Sequence, residues 1–236
     1  MELILKSLPL LLKGTVFTIV ITLVAVGLGS VIGLFAGLAK MSKKKWLSFL
    51  ATCYIDFFRG TPLLVQVFMV YFGIPQILLA MKAYLLAQFN IELTFDHHIE
   101  PWTAAILSTS LNCGAYIAEI FRAGVQSIER GQMEAARSLG MTHVQAMRFV
   151  ILPQAFRRIV PPLGNEFIAM LKDSSLLCVI GFEELARTGQ MIISRTYESF
   201  IIWGVVALIY LIMTLVISRF IDYLERRLRT GHDDHR

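Results

Sequence analysis

The chain has 236 residues, of which 56% are hydrophobic and 17% charged, with a net charge of +5 and a mean hydropathy of +0.65. Soluble domains use roughly 45–50% apolar and about 25% charged residues, so this composition excludes an ordinary water-soluble domain and describes a chain built for lipid. The positive charge is then a topology signal before it is a hint of an acidic or nucleic-acid partner, because what matters is the side of the bilayer on which Lys and Arg lie.

A hydrocarbon core of about 30 Å needs about 20 helical residues, and five stretches approach that length: 14–39, 47–72, 101–121, 161–180 and 200–221. The first follows a charged start, as a signal peptide does, but exceeds the ~7–15 apolar residues of a cleavable signal and is kept as a span. Within it Gly29, Gly33 and Gly37 recur every fourth residue, a small-residue face for close helix packing. The segment 74–89 is apolar but short and interrupted by Lys82, which fits an interfacial or lid helix better than a sixth span. Trp46, Trp102 and Tyr223 fall near span ends as interfacial anchors. The expected fold is all-α, a single membrane domain over 1–236.

Five spans place the termini on opposite sides. One side then holds Lys40, Lys43, Lys44, Lys45, Arg122, Arg130, Arg137, Arg148, Arg157, Arg158, Arg219, Arg226, Arg227, Arg229 and Arg236. The other holds only Lys6, Lys13, Lys82, Arg187 and Arg195. The positive-inside rule puts the N-terminus outside and the C-terminus in the cytoplasm.

Charged residues in the middle of a membrane helix are costly and mark cavities or partners. The second span carries Asp56, Arg59, Gly60, Thr61, Pro62 and Gln66; the third carries Ser108, Ser110, Asn112 and Glu119; the fourth carries Asn165, Glu166, Lys172, Asp173, Ser174 and Ser175. At ~1.5 Å per residue, the groups around Thr61, Asn112 and Asp173 reach similar depth and line one polar chamber. Gly60 and Pro62 loosen the helix and leave backbone groups that need other partners. Two readings stand for the charges: Asp56 with Arg59, and Lys172 with Asp173, are either local ion pairs or the complementary charges a zwitterionic solute needs. The three cysteines, Cys53, Cys113 and Cys178, sit in apolar runs without metal-ligand spacing and are packing residues.

The connection 122–158 is not a solvated linker. Gly131-Gln-Met-Glu134-Ala135-Ala136-Arg-Ser-Leu139-Gly140 is rich in helix formers, ends on a natural stop, and offers a low alanine ridge to another protein. Pro153 permits a fresh turn before re-entry.

With Leu152 and Pro153 about a dozen residues further on, this segment resembles the EAA signature of permeases in ATP-binding-cassette importers. Val150 departs from the isoleucine common in that family. Phe58-Arg-Gly-Thr-Pro-Leu-Leu-Val-Gln66, Gly164-Asn-Glu-Phe167 and Leu171-Lys-Asp-Ser-Ser-Leu176 are similar to its polar amino-acid uptake branch. The resemblance implies a type I importer permease in the bacterial cytoplasmic membrane. It also implies a second permease, identical or paralogous, two cytoplasmic ATPase subunits that hold the ATP and magnesium, and an extracytoplasmic substrate-binding protein. Glu134, Ala135, Ala136, Leu139 and Gly140 would couple the ATPase to the bundle. Arg59, Gly60, Thr61, Gln66, Asn112, Glu119, Asn165, Glu166, Lys172, Asp173 and Ser174 would line the substrate path. No cofactor is expected in this chain, which has no Gly-rich loop ending in Gly-Lys-Ser/Thr for a nucleotide.

The rival is an ion-coupled transporter or channel using Asp56, Glu119 and Asp173. An intramembrane enzyme is set aside for want of a His-Glu-x-x-His helix or a Gly-x-Ser-x-Gly elbow. His97, His98, His232 and His235, the last two beside Asp233 and Asp234, are read as solvated. The tail 225–236 is expected to meet anionic headgroups. The outer loop 181–198, with Glu183, Glu184 and Arg187, is expected to be solvated and open to the binding protein.

Overall fold

The computed structural model describes residues 2–91, 94 and 98–229; His97, His232, Asp233, Asp234 and His235 lie outside the described residues. The described chain is helical throughout: α1 (Glu2–Lys40), α2 (Lys45–Gly60), α3 (Leu63–Phe68), α4 (Ile74–Phe89), α5 (Pro101–Gln126), α6 (Arg130–Ser138), α7 (His143–Ala146), α8 (Leu152–Asp173), α9 (Leu185–Thr196) and α10 (Ser199–Arg229). Four stretches are long and apolar enough to cross a bilayer: Glu2–Lys40, Leu63–Phe89, Pro101–Gln126 and Ser199–Arg227. The 161–180 stretch is not among them, because α8 ends at Asp173 and carries Asn165, Glu166 and Lys172. It is nonetheless a bundle helix, packed against α1, α5 and α10.

Proline explains where the helices deviate. The 47–72 stretch is divided at Thr61 and Pro62, both extended, because proline has no N–H and disfavours the helical region for the residue before it. The apolar helix therefore starts at Leu63, and 74–89, read above as a separate interfacial helix, continues it without a break. Each π-helical turn, Met69–Gly73 and Met147–Ile151, contains the residue four before a proline, Tyr71 before Pro75 and Phe149 before Pro153. The proline leaves that carbonyl without its i+4 donor and its ring crowds it, and widening the turn relieves both.

The closest helix pair is α1 against α5. A Cβ on Gly33 would lie 2.8 Å from the Gly114 carbonyl oxygen and 2.9 Å from the Ala118 nitrogen, and one on Gly29 3.1 Å from the Gly114 nitrogen. Glycine here lets two backbones touch, and dispersion between them replaces the hydrophobic drive that lipid removes. Around this seam, Ile21, Leu63, Val67, Ala104, Leu177 and Phe182 form one core. Leu11, Leu171, Leu185, Ile202 and Val206 form a second one.

Residues 181–198 differ from the expected solvated loop. They carry α9 over Leu185–Thr196, and Glu184 just before it is fully buried. Its carboxylate caps α9 by accepting from the Ala186 and Arg187 amides at 2.8 and 2.6 Å and from the Tyr210 hydroxyl at 2.9 Å. A buried carboxylate persists only with such partners.

Candidate functional site

The site is built on the helix break. Pro62 cannot donate to the Phe58 carbonyl four residues earlier, and the amide of Val65 turns to Pro62 instead of Thr61. Both freed carbonyls are met by one side chain: Gln66 Nε2 donates to Phe58 O at 2.8 Å, to Thr61 O at 3.0 Å and to Thr61 Oγ1 at 2.9 Å. Asn112 Nδ2, from α5, donates to Gln66 Oε1 at 2.9 Å and to Phe58 O at 3.3 Å. Gln66 and Asn112 are both buried, so the break is clipped from its own helix and from its neighbour.

Two cavities lie beside this clip. One, about 420 Å³, is lined by Thr61, Asn112, Tyr116, Glu166, Asp173 and Leu176, among others. The second, about 510 Å³, shares Tyr116 and Glu166 and adds Arg59, Glu119, Ser127 and Arg158. Of the expected substrate-path residues, Arg59, Thr61, Asn112, Glu119, Glu166 and Asp173 are thus brought together. Gln66 stands behind the wall. Gly60 and Asn165 are exposed and line neither cavity. Lys172 is exposed too and makes no ion pair with Asp173. Ser174 is buried and donates to its own helix at Leu171 O, 2.8 Å. Tyr116, missed in the sequence, stands under Arg59 with the guanidinium 5.5 Å from its ring centre.

Arg59 does not pair with Asp56. It turns to Glu119, at 3.9 Å, and Glu119 is the centre of a cluster: Lys40 Nζ binds Oε1 at 2.6 Å, and Arg122 donates through Nε and NH2 to Oε2 at 3.0 and 2.7 Å. Lys40 comes from the end of α1, so the cluster ties α1, α2 and α5 together where α5 leaves the bundle. Three cations on one carboxylate leave Arg59, at the long distance, the one least engaged.

The second candidate surface is α6. Its end is a Schellman motif: Gly140 has φ +83, its amide donates to Arg137 O at 3.0 Å and the Met141 amide to Ala136 O at 3.3 Å, the left-handed stop that glycine adopts without strain. Thr142 and Gln145 then form a reciprocal capping box that starts α7. Ala136 packs inward at 4% exposure, whereas Leu139 is 82% exposed, and Glu134 and Ala135 are also exposed. The segment rests on Ile128, Ile151, Ala155 and Ile159, with Met133 packed against them. Arg158 adds a bond to the Ser127 carbonyl. The short helix, capped at its end and packed on one side, therefore leaves Glu134, Ala135 and Leu139 exposed.

The family described as binding-protein-dependent transport system inner membrane component matches residues 29–230. The glutamine transport system permease protein GlnP of Escherichia coli (strain K12) is 42% identical over 223 residues, 94% of each chain. The L-cystine transport system permease protein TcyB of Bacillus subtilis (strain 168) is 38% identical, covering 93% of this chain and 87% of its own. The arginine transport system permease protein ArtQ of the same organism is 34% identical, covering 95% of each. Among solved structures, an amino acid ABC transporter with histidines superposes with a TM-score of 0.82 at 44% identity, over 95% of this chain and 96% of that one. The methionine transporter MetNI, at 20% identity and a TM-score of 0.69, shares the fold. The chain is a multi-pass inner-membrane protein and belongs to the binding-protein-dependent transport system inner membrane components, the permease chains of ATP-binding-cassette importers.

Proposed function

We propose that this chain forms one half of the translocation path of an ATP-driven importer for polar amino acids, with its N-terminus outside and α6 as the docking site of a cytoplasmic ATPase subunit. The observation that carries the substrate class is the pair of neighbouring cavities, sharing Tyr116 and Glu166, with Arg59 contributed by α2 and Glu166 and Asp173 by α8. The relatives are named for glutamine, cystine and arginine, which share only the α-carboxylate and α-ammonium. A guanidinium suits the first and carboxylates the second, so the charges match the common part of the solutes and leave side-chain choice to a separate binding protein.

ATP and magnesium act in the ATPase. Its closure on nucleotide would move α6 as a rigid body, and the bundle would alternate between outward and inward access. The other half of the path is a second permease, identical or paralogous. Of the three carboxylates the ion-coupled reading needs, Glu119 is held by Lys40 and Arg122 and Asp56 lines neither cavity, which leaves Asp173 as the one that lines a cavity without an ion pair among the described residues and disfavours that reading.

The test is uptake of an amino-acid panel into proteoliposomes holding this chain with its ATPase and permease partners. Glu134→Ala is expected to abolish ATP-driven uptake with the complex intact, and Glu166→Gln to lower uptake across the whole panel. Uptake that ignores ATP and follows an ion gradient overturns the reading.

A further inference from the structure

We propose that the apolar cavity between the end of α1, α5 and α8 holds an acyl chain of an anionic phospholipid whose phosphate sits on the lysines of the α1–α2 loop. The cavity, about 230 Å³, is lined only by apolar side chains, among them Leu34, Leu38, Met41, Phe121, Val125 and Phe156. Its place follows from the chain. Leu34 to Met41 is two helical turns, about 10 Å along the axis, and Met41 leads directly into Lys43, Lys44 and Lys45. Trp46, 62% exposed, follows them and marks the headgroup level. A lipid with its phosphate at the lysines has its upper acyl carbons at the cavity mouth.

Charge points the same way. Lys40 is engaged by Glu119, but Lys43, Lys44 and Lys45 are exposed and form no ion pair among the described residues. Arg157, next to Phe156 of the cavity wall, is likewise exposed and outside those pairs. Basic clusters over an apolar pocket on one side of a membrane select anionic headgroups. A protein segment fits less well, because its backbone N–H and C=O would enter a cavity with no polar partner to offer, whereas an acyl chain has no such need. Phe121, Val125 and Ile159 of the cavity wall also belong to the cluster under α6, so the occupant packs against the support of the docking helix. The inference does not depend on what is transported.

The test is the lipid retained by the assembled transporter when it is released from vesicles of mixed phosphatidylglycerol and phosphatidylcholine and weighed by native mass spectrometry. Wild type is expected to retain phosphatidylglycerol preferentially. Lys43→Gln, Lys44→Gln and Lys45→Gln are expected to lower that preference by about fivefold per lysine. Leu38→Trp, at an exposed position that fills the mouth, is expected to remove the retained lipid with the lysines in place; Leu34→Trp repeats the test on the same wall should that variant not assemble. Equal retention of both headgroups overturns the proposal. So does retention unchanged by the lysine or the tryptophan substitutions, or a Leu38→Cys cross-link to a partner chain that forms whatever the lipid.

Discussion

Gln66→Leu tests whether the clip at the broken helix is what makes that break stable. The substitution keeps the side chain near its size and removes four hydrogen bonds: three from Nε2, to Phe58 O, Thr61 O and Thr61 Oγ1, and the one Oε1 accepts from Asn112. Phe58 O keeps its 3.3 Å bond from Asn112, so the groups left without a good partner are Thr61 O and one amide proton of Asn112. An unsatisfied buried group costs about 1–3 kcal/mol, and side-chain hydrogen bonds measured inside membrane proteins reach only about 0.6–1.7 kcal/mol each. Two such groups, taken where the two scales overlap, give an expected loss of about 2–3 kcal/mol. The assay is thermal unfolding of the transporter in nanodiscs, for Gln66→Leu alone, Pro62→Ala alone and both together. Alanine at 62 returns an N–H that Phe58 O can accept within the helix, so in that background Gln66→Leu should cost at least about 1 kcal/mol less. Equal losses in both backgrounds would refute the account, because the amide would then be stabilising something other than carbonyls freed by proline.

At the α1–α5 seam, Gly33→Val places a side chain against the Gly114 carbonyl and is expected to destabilise by about 1–3 kcal/mol. Gly27→Ala, where a Cβ has no neighbour within 4 Å, should be neutral or stabilising in the same thermal assay. Glu184→Ala removes the cap of α9 and orphans the Tyr210 hydroxyl, for an expected loss of about 1–3 kcal/mol. The same change in a Tyr210→Phe background should cost less, and a double-mutant cycle reads the difference. Gly140→Ala forces a Cβ into φ +83 at about 1–2 kcal/mol, so it should loosen α6 and lower ATP hydrolysis coupled to uptake. Gly131→Ala, with open space around it, should leave that coupling unchanged.

Composition and local pattern carried much of the architecture. Apolar runs set which segments enter lipid, because a segment's transfer free energy is a sum over its own residues. Pro62 announced a broken helix and the need for other partners, and Gly140 announced the end of α6, since both effects act on the residue's own backbone and its nearest turn. Even here the extent of elements was less legible. The 74–89 stretch taken by itself is too short to span, whereas the helix runs on from Leu63 through a π-helical turn that absorbs Pro75.

What the tertiary structure decided is which distant groups meet. Asn112 reaches Gln66 across 46 residues and Lys40 reaches Glu119 across 79. No local rule selects these pairs over Asp56 with Arg59 or Lys172 with Asp173, the neighbours that sequence offers. Lys172 lines neither cavity and Tyr116 lines both, because the rotation of α5 is set by its small-residue contacts with α1 and that of α8 by the close approach of Gly164 to Ile221 of α10. Glu184 gave no signal at all: glutamate is not among the favoured helix caps. It is tolerated at zero exposure only because Ala186, Arg187 and Tyr210 arrive together. Local chemistry thus determined that this chain crosses the membrane, breaks a helix at Pro62 and ends α6 at Gly140. Packing determined which charges face one another beside the cavities, because a buried charge is stable only where the fold brings its partners.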